Sequence, residues 1–103
     1  MELEQKKTIA RLLRAAASRT IEENLFWDQF KPLVGDLSDP IAGEAYESAV
    51  HYWGNFHERN LFLIKTKPDR WQLENGRNEL NLIADALDED WSASDLKRRL
   101  KDI

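Results

Sequence analysis

The sequence predicts an all-α protein, a single domain over residues 1–103 that forms one bundle of four to five helices. Three observations predict it. Apolar residues recur at steps of three and four along most of the chain. Helix-start signals stand near residues 20, 39 and 92. A length of 103 residues suffices for one core and is too short for two.

The elements follow in order. Residues 3–18 place Ile9, Leu12, Leu13, Ala16 and Ala17 on one stripe, with Lys7, Arg11 and Arg14 on the other side. This is an amphipathic helix whose basic side is expected to face water. Thr20-Ile21-Glu22-Glu23 matches a capping box, the hydroxyl serving the Glu23 amide and that carboxylate reaching back. A second helix is therefore expected from Ile21, with Phe26, Phe30 and Leu33 on its core side and Trp27 near the border. Pro32 is expected to kink or end it, and Gly35-Asp36 to stop it.

Ser38-Asp39-Pro40 restarts the chain as a helix, with Asp39 as cap and proline at the first helical position. Ile41, Ala45, Ala49, Tyr52 and Phe56 then mark one face as far as about His57. Two readings stay open for residues 60–76. One extends the helix, breaks it at Pro68 and starts another. The other makes strands of 61–66 and 70–74, turning at Pro68-Asp69, which gives an α+β fold with a small hairpin at 61–74. The all-α assignment takes the first. Leu80, Ile83, Ala84 and Leu87 restore clear helical spacing. Ser92 and Asp95 form a capping box with Trp91 and Leu96 at staple positions, opening a last short helix at 93–101.

Composition excludes several classes. Without cysteine there is no disulfide, thiolate nucleophile or sulfur-ligated metal. The longest apolar run, Leu61 to Ile64, is far below the ~18 residues of a membrane span. MELEQKK lacks the apolar region of a secretory signal, so a cytoplasmic protein without membrane contact is expected. His51 and His57 are six residues apart, which turns them away from each other on a helix, and no third ligand accompanies them. No nucleophile elbow, glycine-rich phosphate loop or calcium loop is present. The expectation is a protein that is not an enzyme and holds no cofactor and no metal.

Charge is distributed unevenly. Residues 36–95 carry five basic against thirteen acidic side chains, while 96–103 carry four against one. Such a middle segment repels phosphates and favours a basic protein partner, which makes nucleic acid a poor candidate. Asp85, Asp88, Glu89 and Asp90 gather at the end of a helix, where the dipole opposes them. A local cost without visible structural benefit points to a binding use. Of the four tryptophans, Trp53 and Trp91 are assigned to packing, and Trp27 and Trp71 are expected to be partly exposed.

The stretch LLRAAASRTIEENLFWDQFKPL, with the later ENGRNELNLIADAL, resembles bacterial immunity proteins of the colicin D type over about residues 10–87. That resemblance implies a small acidic helical bundle that neutralises a nuclease toxin by covering its basic active site. On acidity and exposure, the residues expected to face such a partner are Trp27, Asp28, Glu44 and Glu47 on one side. Asp85, Asp88, Glu89 and Asp90 are expected on the other. A rival expectation is a small structural or regulatory subunit that forms a homo-oligomer through its Trp and Leu surfaces.

Overall fold

The computed structural model describes residues 2–35, 39–57 and 70–103, the side chains of 55–57 and 70–73 excepted. The described chain is all-α: α1 (Leu3–Ser18), α2 (Glu23–Val34), α3 (Pro40–His57), α4 (Arg70–Asp88) and α5 (Ala93–Leu100), with no strand among the described residues. The second strand of the alternative hairpin, 70–74, lies within α4, so that alternative falls. Its first strand, 61–66, and the expected break at Pro68 lie outside the described residues.

One contiguous core joins all five helices. It is built from the apolar stripes that the spacing marks: Ile9, Leu12 and Leu13 of α1, Phe26 and Phe30 of α2, Tyr52 of α3, Leu80, Ile83 and Leu87 of α4, and Leu96 of α5. The α1–α4 pair is its centre. Lys6 meets Asp90 while Arg14 meets Asp85, so the two helices run antiparallel.

Tyr52 ties three helices together. Its ring lies so close to Gly76 of α4 that a Cβ there would sit 2.9 Å from Cδ1. Its hydroxyl donates to the Ala16 carbonyl of α1 at 3.0 Å. Burial raises the Tyr52 pKa above the ordinary range, which keeps the hydroxyl a donor. Gly76 is therefore a packing residue inside a helix.

Local signals act as expected at two starts. The Asp39 carboxylate accepts from the amides of Ile41 and Ala42, and the Ser92 hydroxyl accepts from the Asp95 amide. The capping box at Thr20 does not form. Arg19 adopts the left-handed conformation at φ 59°, and α1 ends in a Schellman motif, with Thr20 N–H bonded to Ala15 O at 3.0 Å. The Thr20 hydroxyl turns to the same carbonyl. The end of α1 has consumed the residue expected to start α2, which begins instead at Glu23 behind an extended Glu22.

Pro32 does not end α2 either; the helix runs two residues further, to Val34. Gln5 of α1 donates to the Leu33 carbonyl at 2.6 Å and so satisfies one of the open acceptors of that last turn.

Candidate functional site

A groove runs between α2 and α3. Asn24, Trp27, Asp28 and Lys31 line it from α2, at spacing i, i+3, i+4 and i+7, and Tyr46 and Val50 line it from α3, one turn apart. The sequence builds it by phase. With Phe26, Phe30 and Val34 fully turned into the core, Trp27 is left at the border, half-buried. Its ring meets Phe26 at 5.2 Å, Phe30 at 5.7 Å and Tyr46 at 5.9 Å, each near edge-to-face. Lys31 holds its ammonium 5.8 Å from the same ring. On the α3 side Val50 stays 43% exposed, an aliphatic wall open to water.

Two expected site residues, Trp27 and Asp28, thus share this groove. A third, Glu47, follows Tyr46 directly and lies one turn before Val50, exposed on α3 but outside the lining of the groove. Neither Asp28 nor Glu47 forms an ion pair among the described residues.

Glu44 belongs elsewhere. Together with His51 it acts on Glu79 of α4 across the neighbouring seam. Burial, first, raises the Glu79 pKa; His51 relieves part of that and Glu44 adds to it. No group of three or more His, Asp or Glu side chains among the described residues is arranged to hold a metal ion.

The acids at the end of α4 correct the sequence expectation. Arg14, assigned to a solvated face, spans Asp85 at 2.8 Å and Asp88. These two carboxylates raise its pKa further, the hydrogen bond to Asp85 contributing most. Lys6 holds Asp90 at 2.7 Å and lowers its carboxyl below the usual range. The structural benefit missing from the sequence is therefore present. In the antiparallel pair, Asp90 lies beside Lys6 near the start of α1, while Asp85 and Asp88 lie beside Arg14 in its C-terminal half, so the cations of α1 favour acids that the α4 dipole opposes. Asp90 also takes the left-handed conformation at φ 56°, and Trp91 N–H closes onto Ala86 O at 3.0 Å. Of the four, only Glu89 is exposed without an ion pair among the described residues.

A second depression, between α4 and α5, is lined by Asn75, Asn78, Asn81, Leu82, Asp85 and Arg99. Arg99 lies over the Trp91 ring at 4.0 Å, so that tryptophan packs beneath a cation. Trp53 is buried at 7%, as its packing assignment requires. The Trp71 side chain lies outside the described residues. Tyr46 and Val50 went unmarked in the sequence, and an apolar Val50 on the outer side of an otherwise polar helix turn was the available signal. No protein-family model, curated protein or solved structure matches this chain.

Proposed function

We propose that the chain is a non-enzymatic protein-binding module of the immunity type, which seats on the basic face of a nuclease-like partner through the α2–α3 groove. The observation that carries this reading is the coincidence, in one open groove, of a half-buried Trp27, an exposed Val50 and an Asp28 without an ion pair among the described residues, with Glu47 likewise exposed and unpaired one turn before Val50 on α3. A rigid aromatic with an apolar neighbour supplies a desolvated anchor. Flanking carboxylates supply steering and select against acidic partners.

The acids of α4 play a smaller part than their number suggests, because three of them already pair with Arg14 and Lys6. Glu89 remains available at that end. The acidic face that meets a partner is accordingly narrower than the charge count implies and is centred on α2 and α3.

The test is to search the genes flanking this chain's for a toxin with a nuclease domain and to co-express that domain with the chain, together with calorimetric titration of the purified pair at 50 and 300 mM salt. Growth is expected to be restored, and affinity to fall as salt screens the acids. Killing that continues while the chain is abundantly expressed, with no complex in the titration, would overturn the proposal.

A further inference from the structure

We infer that the occupant of the α2–α3 groove is a single amphipathic helix of the partner, with an apolar ridge and a basic side chain on each flank. This rests on the binding-module reading above and adds the chemistry of what is bound.

The dimensions favour a helix. The α2 wall, from Asn24 to Lys31, spans two turns, or about 10 Å at 1.5 Å per residue. Tyr46 and Val50 repeat the one-turn interval on the other wall. A third helix laid between two packed ones meets side chains at this spacing, with its i, i+4 and i+7 positions as anchors.

The relief of α3 agrees. Gly43, Glu47, Val50 and Gly54 fall at steps of four, three and four on its outer side. A Cβ added at Gly54 would meet nothing within 4 Å. The row is low at both ends, so a backbone can lie close against it.

The charges select the flanks. Asp28 lines the groove from α2 and Glu47 stands exposed on the outer side of α3, one turn before Val50, and neither forms an ion pair among the described residues. The cation of the groove, Lys31, is held over the Trp27 ring. A basic residue on each side of an incoming ridge answers both acids at once. An anionic surface, whether nucleic acid or lipid, meets the same two carboxylates as repulsion.

The experiment uses a fluorescein-labelled sixteen-residue helical peptide with leucines at i, i+4, i+7 and i+11 and lysines beside them, titrated by anisotropy into the full chain. Wild type is expected to bind it. Val50→Glu, on an exposed site, and the double variant Asp28→Lys/Glu47→Lys are each expected to weaken binding at least tenfold. Gly54→Leu is expected to raise the melting temperature while weakening the peptide, a divergence that a purely structural role would not give. Equal binding of a peptide with the same composition in scrambled phase would overturn the inference, as would unchanged binding by Val50→Glu. The two proposals fail separately. Neutralisation of the nuclease by Val50→Glu as efficient as by wild type removes the groove and leaves the function. Specific peptide binding without any nuclease complex removes the function and leaves the groove.

Discussion

Two seams of this protein carry acids, and they use them in opposite ways. Along α1–α4 the carboxylates of Asp85, Asp88 and Asp90 are answered by Arg14 and Lys6 on the facing helix. Along α2–α3 Asp28 lines a groove beside Trp27 and Tyr46, Glu47 is exposed on α3 next to Tyr46 in sequence, and neither forms an ion pair among the described residues. The first seam is finished by folding; the second is left open. The difference teaches that a cluster of acids in sequence is not a binding surface until the opposite helix is known. The densest acidic run of the chain is the one that folding pairs, three of its four acids meeting Arg14 and Lys6, while the two scattered acids form no ion pair among the described residues.

Glycine gives the strongest way to break this comparison, because the same substitution should have opposite signs at the two places. Gly76→Ala pushes a methyl group onto the Tyr52 ring, whose hydroxyl is anchored on α1 and cannot easily retreat. Overpacking of this kind costs about 1–3 kcal/mol, of which better helix propensity returns ~1. A net loss of about 1 kcal/mol is expected. Gly54→Ala enters open space and should gain up to ~1 kcal/mol. Urea denaturation of both variants measures it. A loss at Gly54 would mean that the outer row of α3 is already covered, and the groove would not be free.

Much of the fold was legible because its signals are local. Asp39 and Ser92 cap where they stand, and the stripes of α1, α2 and α4 are read directly from spacing. Thr20 failed because two helices competed for one residue, and the terminating motif of α1 took it. In the sequence residues 70–74 stay open between helix and strand because Pro68-Asp69 can be read as a break or as a turn, and the Tyr52 ring that packs on Gly76 lies on another helix. At the site, the borderline phase of Trp27 was visible and its neighbours were not. Tyr46 and Val50 become its partners only once α2 and α3 are set side by side. Arg14 and Asp85 are 71 residues apart, and no periodicity pairs them.

A sharper and smaller test sets one ion pair against one unpaired acid. Arg14→Met removes the cation that bridges Asp85 and Asp88, all three side chains being partly exposed. Exposed pairs contribute ~0.2–1 kcal/mol each, so a loss of about 1 kcal/mol at low salt is expected, shrinking in 0.5 M NaCl. Asp28→Asn should leave stability within about 0.5 kcal/mol at either salt concentration. Should Asp28→Asn cost as much as Arg14→Met, Asp28 belongs to the fold and not to a partner.

The smallest effect concerns Glu79, which sits at the α3–α4 seam and belongs to neither pattern. Its carboxyl is raised above the ordinary 4.5 chiefly by burial, with Glu44 adding to the shift and His51 opposing it. A carboxyl raised in the folded state binds its proton more tightly there than in the unfolded chain. Its contribution to stability is therefore full below pH 4.5 and is lost as pH rises through the higher folded value. Glu79→Gln keeps the shape and removes the charge, so it should be the more stable protein at pH 7. Near pH 4, where the wild-type carboxyl is protonated in both states, the two should converge. Thermal melts across that range decide the matter. A constant offset between the two proteins would show that packing, and not the titration of a partly buried carboxylate, governs this seam. Asp90, lowered by Lys6, should behave in the reverse sense, losing its small contribution as pH falls. The sign of the pH response thus distinguishes an acid that the fold has answered from one that it has only enclosed.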